Sequence, residues 1–150
     1  MNRARGMSLL ELLMVLVLVA TLAGIGATVI GRQLPGRELH DAARTVAGEL
    51  RFARARAIAT GRPQVFVIDV NTRSWQGADN RQGTLPEGLD VVATTALEER
   101  PARDQAAVRF FPEGAATGGR IVIKRGEAAW RVDVGWLTGE VTLSRGEGPA

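Results

Sequence analysis

The sequence predicts an α+β protein, in which a long N-terminal helix packs on an antiparallel, two-layer β-sheet domain. Three observations predict this fold: an uncharged apolar run ending at Ile30, a helical apolar stripe after Pro35, and short alternating segments after Pro63. The chain of 150 residues has room for one modest domain besides that helix. We expect the helix to have a transmembrane half and an amphipathic half.

The first element is the apolar run over residues 12–30, which carries no charge. At 1.5 Å per residue it spans about 28 Å, close to the thickness of a bilayer core. The run therefore predicts a transmembrane helix, assigned to residues 7–31. Arg3 and Arg5 precede it, so the positive-inside rule predicts a cytoplasmic N-terminus and an exported C-terminal domain. An ordinary signal peptide is the alternative, although its apolar core is usually shorter.

Glu11 is the one carboxylate at the start of this helix. A charge deep in a bilayer costs roughly 2.5 to 3.5 kcal/mol on insertion scales, so such a residue is a functional hypothesis by default. The other interpretation is that Glu11 lies at headgroup depth and faces water.

The residues around Glu11 form a motif. They read Arg5-Gly6-Met7-Ser8-Leu9-Leu10-Glu11-Leu12-Leu13. This segment resembles the type IV pilin-like leader, in which a short basic leader ends in Gly and Glu is the fifth mature residue. The resemblance implies that residues 1–6 are a leader, that a prepilin peptidase cleaves between Gly6 and Met7, and that Met7 becomes N-methylated. It also implies that Glu11 pairs with the N-terminal amine of a neighbouring subunit. The family usually has Phe where this chain has Met7.

The second element is an amphipathic helix, assigned to residues 32–62 with a kink where it begins. Gly31, Pro35 and Gly36 predict that kink or an interruption of the helix. The apolar stripe that follows has helical spacing and predicts packing on a sheet; its members are Leu39, Ala43, Val46, Leu50, Ala53 and Ala57. Gly61 and Pro63 predict the end of the helix.

This helix is rich in arginine. The residues concerned are Arg44, Arg51, Arg54, Arg56 and Arg62. Their angular spread is wide and no aromatic side chain stands beside them, which favours a solvated helix face over a nucleic-acid-binding stripe. Without Arg3 and Arg5, 17 of the 19 basic side chains remain against 16 acidic ones, so no nucleic-acid partner is expected.

Residues 63–150 are predicted to form the β-sheet domain. Strand-like segments occur at 64–70, 108–111, 119–124 and 130–134, and Val141 and Leu143 complete the series. We expect the helix to lie against one of the two sheets. The polar interval 77–105 predicts a variable connection with one or two short strands, since only residues 89–92 show a pattern.

Large and small residues near the C-terminus predict details of packing. Gly118 and Gly119 are expected to adopt positive φ at a tight turn into a strand. Trp130 and Trp136 are expected to fill the space between sheet and helix. Trp75 has two interpretations, a core residue or an exposed contact with another subunit.

Catalytic and metal chemistry find no support in the composition. The chain has no Cys, a single His40, and only Ser8, Ser74 and Ser144 as serines. No nucleophile triad, zinc site or dense calcium-binding cluster can be drawn from these residues. We predict no enzyme activity, no metal, no cofactor and no disulfide.

A second resemblance lies in the C-terminal part. The segments are Phe110-Phe111-Pro112-Glu113-Gly114, Thr117-Gly118-Gly119-Arg120-Ile121, Trp130-Arg131-Val132-Asp133-Val134 and Trp136-Leu137-Thr138-Gly139. They resemble the minor pseudopilin H family of type II secretion systems, which is related to minor type IV pilins of the fimbrial T type. The resemblance implies a structural role near the tip of a pseudopilus that assists export of folded proteins.

The same resemblance implies location and partners. The chain would cross the bacterial inner membrane once and place its domain in the periplasm. Its partners would be other minor pseudopilins, the major pseudopilin, prepilin peptidase and inner-membrane lipid. Two alternatives stay open: a minor pilin of the fimbrial T type that binds DNA for uptake, and an unprocessed, anchored periplasmic binding domain.

Overall fold

The computed structural model describes residues 9–95 and 104–147, apart from the side chains of 22–35 and 147. Its one helix in these ranges, α1, covers Leu9–Thr60. The helix continues through residues 31–36. The kink predicted for this segment stays a prediction. The chain divides into two compact units between Pro35 and Gly36, and each is described by itself. The predicted leader lies outside the described residues.

Short strands follow α1 along the described chain. They are β1 (Gln64–Asp69), β2 (Ser74–Gln76), β3 (Gln82–Thr84), β4 (Asp90–Thr95), β5 (Gln105–Phe110), β6 (Gly119–Arg125), β7 (Ala128–Val134) and β8 (Val141–Glu147). A 3-10 turn at Ala78–Asn80 separates β2 from β3. The five predicted strand segments are confirmed as β1 and β5 to β8. The polar interval contains β3 and β4, and β2 is a strand that the sequence analysis misses.

The strands form two four-stranded antiparallel sheets, with orders β3-β2-β1-β5 and β4-β6-β7-β8. In the first sheet Phe66 pairs with Val108, and in the second Ile121 pairs with Val132. Because side chains alternate across a strand, these registers place large apolar residues on one face of each sheet. The α+β fold with two antiparallel layers is therefore confirmed.

The core joins α1 to both sheets. All six residues of the predicted stripe, from Leu39 to Ala57, are at most 1% exposed. They pack in one cluster with Phe66 and Phe110 of the first sheet and Ile123 of the second. The sequence predicts that the helix lies against one of the two sheets, whereas its stripe shares a core with residues of both. Every residue of this cluster follows Gly36, so we expect Gly36–Ala150 to fold by itself.

The tryptophans occupy three different environments. Trp75 is buried, and its ring centroid lies 6.2 Å from that of Phe66. Gly83 pairs with Trp75 across the strands, and a Cβ at Gly83 would lie 2.6 Å from the indole ring, so a glycine is needed there. Trp130 is partly buried against the core, with its ring centroid 4.3 Å from that of His40.

The prediction that Trp136 fills the space between sheet and helix is wrong, because Trp136 is 69% exposed. The residue follows the end of β7, in a turn where strand alternation no longer determines which face a side chain takes. Gly118 has φ +78° as predicted; Gly119 lacks positive φ, but a Cβ there would lie 3.0 Å from Thr95.

Candidate assembly surfaces

The N-terminal part of α1 presents an apolar surface around one carboxylate. Glu11 lies in the first turn, and its side chain is exposed. The large apolar residues from Leu9 to Val19 are each more than half exposed. Within the part of the chain that the structure describes, Glu11 forms no ion pair. Such a continuous apolar surface marks a region that contacts lipid or protein.

Two of the predicted site residues cannot be placed. Gly6 and Met7 lie outside the described residues, so cleavage and methylation stay predictions. A search of the described residues for a helix of the length and apolarity required to cross a membrane finds none.

Three arginines of α1 bind the rest of the domain, which the sequence analysis misses. Nη2 of Arg51 donates to the carbonyl oxygen of Val141 at 3.0 Å, and Nε of Arg54 donates to that of Gly114 at 3.1 Å. Arg56 forms an ion pair with Asp79, with 2.7 Å between Nε and Oδ2. The expectation of a solvated helix face misses these three contacts, because their partners are distant in the sequence and no local pattern reveals them.

Two further ion pairs join the second half of α1 to the sheet domain. The carboxylate of Glu49 is 8% exposed and accepts from Nη2 of Arg81 at 2.6 Å. The Arg81 guanidinium also lies 4.6 Å from the centre of the Phe52 ring, a cation–π geometry. Nearer the start of the unit, Glu38 accepts at 2.9 Å from Arg125, the last residue of β6. These contacts attach the helix residues after Gly36 to elements of both sheets.

The segments that carry the second resemblance form the junction between the sheets and α1. The turn after β5 and the turn after β7 meet where the amide of Ala116 donates to the carbonyl of Trp136 at 2.9 Å. Gly114 and Gly139 both have positive φ, and a Cβ on Gly139 would collide with the carbonyl oxygen of Gly114. Both positions therefore require glycine. Arg54 closes the junction from the helix side.

The outward face of α1 carries a different set of residues. Arg37 and Arg44 are exposed and form no ion pair with any described residue, and the same holds for Arg62, which follows the end of the helix at Thr60. Gly48 lies one turn after Arg44 on the same face, with open space where a Cβ would stand. The opposite face of the same helix segment carries the buried stripe from Leu39 to Ala57.

The described residues were also considered for metal binding and for a ligand groove. No group of three or more His, Asp and Glu residues there could hold a metal ion. An open groove at one end of the second sheet is lined by Thr94, Thr138, Glu140 and the ion pair of Arg120 with Asp133, whose charged atoms are 2.6 Å apart. The exposed apolar part of α1 and its exposed arginines are surfaces that can contact other proteins.

Solved structures define the class. The chain is similar to the minor pseudopilin EpsH from the type 2 secretion system of Vibrio cholerae, with a TM-score of 0.55 and 26% identity over 72% of this chain and 97% of that one. It is also similar to the type IV minor pilin FimU of Pseudomonas aeruginosa, with a TM-score of 0.55 and 15% identity over 73% of this chain and 90% of that one. The second likeness shows the fold alone. The fold is that of the pilin-like proteins.

The family follows from sequence comparison. A family model for the type II transport protein GspH matches residues 42–139, and one for the prokaryotic N-terminal methylation motif matches residues 1–27. The type II secretion system protein H of Xanthomonas campestris pv. campestris is 44% identical over 140 residues, which cover 93% of this chain and 83% of that protein. The chain belongs to the GspH family. Its methylation motif implies that it is anchored in a membrane.

Proposed function

We propose that this protein is a minor pseudopilin, a structural component of a type II secretion pseudopilus near its tip that assists export of folded proteins across the outer membrane. The observation that carries the proposal is the GspH match over the sheet domain, joined in one chain to an exposed apolar helix with a single carboxylate. The role is structural, without a catalytic step. Other minor pseudopilins and the major pseudopilin are its partners.

The N-terminal half of α1 has two successive roles in this proposal. It first holds the protein in the inner membrane as a single span, with the N-terminus in the cytoplasm. Prepilin peptidase then cleaves between Gly6 and Met7, and Met7 is methylated. The methylation-motif match over residues 1–27 supports this step.

Glu11 has an assembly role in the proposal. Cleavage creates a cationic amine at Met7, and Glu11 of an adjacent subunit pairs with that amine. In a low-dielectric setting such a pair sets register more than it adds stability. The exposure of Glu11 among apolar side chains and its lack of an ion pair with the described residues support this role.

The unit Gly36–Ala150 suits a filament subunit. Its helix shares a common core with both sheets and is joined to the domain by side chains such as Arg54 and Glu49. The DNA-uptake alternative has less support, since the FimU likeness extends to the fold only.

The test is complementation of a strain that lacks this protein. Glu11→Ala and Glu11→Gln are compared with Glu127→Ala, a matched removal of an exposed carboxylate from the turn after β6. We expect Glu127→Ala to restore secretion, and both Glu11 variants to be cleaved but to restore secretion poorly. Cleaved Glu11 variants that restore secretion like the wild type would show that the pairing role is wrong. Wild-type protein that restores nothing would count against the proposed function itself.

A further inference from the structure

Three exposed arginines of α1 form a single line. We define the basic stripe as Arg37, Arg44 and Arg51, all of which are exposed. At 3.6 residues per turn these three positions fall within about 40° of one another, and at 1.5 Å per residue they extend over about 21 Å. Arg54 and Arg56 turn away from this line toward the domain. The structure thus separates a narrow row of charges from an arginine-rich helix.

The positive charge of the basic stripe is not neutralised by the residues that the structure describes. Arg37 and Arg44 form no ion pair with them, and Arg51 donates to a backbone carbonyl. The carboxylates of Glu38, Glu49 and Asp79 have other partners, which are Arg125, Arg81 and Arg56. Asp41 is the one acidic residue described on this face. Three arginines against one carboxylate leave the stripe an excess of two positive charges.

Small residues lie on the same line. Gly48 stands between Arg44 and Arg51, Ala55 follows Arg51, and both are exposed. A glycine inside a helix is destabilising, and nothing lies within 4 Å of the place where a Cβ of Gly48 would stand, so the packing of this subunit does not require it. The gaps allow the backbone of a partner to approach between the charges.

We propose that the basic stripe is an interface for the acidic surface of an adjacent pseudopilin. The inference rests on the proposed function and names the chemistry of one of its partners. Charge complementarity supports it, because guanidinium groups that form no ion pair with a described residue are complementary to carboxylates on a partner. A duplex DNA partner fits less well, since the stripe contains Asp41 and the chain without its leader is nearly neutral.

Co-purification of the full-length protein provides the test. A tagged chain is co-expressed with the other pseudopilins of its own system, extracted in mild detergent and captured at increasing NaCl concentration. Arg44→Glu is compared with Arg145→Glu, which makes the same charge change at an exposed position on β8. We expect partner recovery to decrease with salt, to fall about five-fold in Arg44→Glu, and to stay at the wild-type level in Arg145→Glu.

A second measurement locates the contact. The chain has no cysteine, so Gly48→Cys introduces a single thiol for a photoreactive label, and Glu127→Cys serves as the control. We expect the label to cross-link another pseudopilin from position 48 and not from position 127.

The outcomes separate the two proposals. If the wild type captures no pseudopilin at any salt concentration, the proposed function is wrong. If the wild type captures them but Arg44→Glu does so equally well, or Arg145→Glu loses as much, the stripe is not the interface. A gel shift of random duplex DNA that Arg44→Glu abolishes, with pseudopilin capture unchanged, would assign the stripe to nucleic acid and overturn the proposal.

Discussion

Glu49 of the helix and Arg81 of the first sheet's outer hairpin form an ion pair in which one partner is buried and the other half exposed. Nη2 of Arg81 lies 2.6 Å from Oε1 of Glu49, while Oε2 has no hydrogen-bond partner among the described atoms. A buried carboxylate is costly unless it is paired. The pair is therefore one of the contacts that hold β2 and β3 on α1, beside the ion pair of Arg56 with Asp79 and the burial of Trp75.

Removal of Arg81 is predicted to be more harmful than removal of the whole pair. Arg81→Met leaves the Glu49 carboxylate buried and unpaired, and we expect the free energy of unfolding of Gly36–Ala150 to fall by about 2 kcal/mol. Glu49→Leu combined with Arg81→Met leaves no unpaired charge and should cost less. Urea unfolding measures both. Arg120→Met, which breaks an exposed pair with Asp133, is the control with an expected loss below about 1 kcal/mol. An equal loss in Arg81→Met and Arg120→Met would contradict the prediction.

Two glycines are predicted to respond to alanine in opposite directions. Gly139→Ala places a Cβ against the Gly114 carbonyl at φ +61°, and we expect the unfolding free energy to fall by about 2 kcal/mol or more. Gly48→Ala, in open space on the helix, should raise it by up to about 1 kcal/mol. Thermal and urea unfolding of the two variants give the comparison. A stable Gly139→Ala would show that the junction between the two turns can open.

Two tryptophans are predicted to contribute unequally to stability. Trp75→Ala removes a buried ring that stacks on Phe66, and should cost about 3 to 5 kcal/mol. Trp136→Ala removes a ring that is 69% exposed, and should cost below about 1 kcal/mol. Denaturant unfolding followed by far-UV circular dichroism measures both variants. Similar losses would mean that Trp136 packs against the domain in solution.

Asp69 is predicted to make stability depend on acid pH. The backbone amide of Thr72 donates to its carboxylate, as does that of Asn71, and these bonds hold the pKa of Asp69 below its ordinary value. A depressed folded-state pKa stabilises the protein above the unfolded-state pKa of about 3.9, and this contribution is lost as the pH falls through the folded-state pKa.

Asp69→Asn serves as the comparison for that pH dependence. Between pH 5 and pH 2 the unfolding free energy of the wild type should fall more steeply than that of Asp69→Asn. Urea unfolding across this range gives both slopes, and an NMR titration of the Asp69 carboxyl reports its pKa directly. Parallel slopes would contradict a stabilising role for the turn between β1 and β2.

The sequence predicts those parts of the fold that periodic burial determines. The stripe from Leu39 to Ala57 and the alternation in β1 and β7 follow from burying one face of a helix or a strand, so local spacing was sufficient. The strands β2 and β3 have three residues each, too few for a pattern to emerge. Their formation depends on the pairing of β2 with β1, of β3 with β2, and on the fit of Trp75 against Gly83.

The candidate surfaces divide in a similar way. Glu11 stands out locally as a charge in an apolar run, so the sequence predicts a role for it. The contact of Arg54 with Gly114 joins residues 60 positions apart. The exposure of Trp136 depends on the turn after β7, which is hydrogen-bonded to the turn after β5. The folded chain is needed to show which arginines bind the domain and which form no ion pair with a described residue.

The intact mass of the protein, extracted from membranes of cells that carry its secretion system, is the most direct test of a processed pilin-like subunit. We expect the mass of residues 7–150 plus one methyl group, which the proposed cleavage after Gly6 and methylation of Met7 would produce. The mass of the full 150-residue chain, or of a chain cut after the apolar run as in a signal peptide, would contradict it.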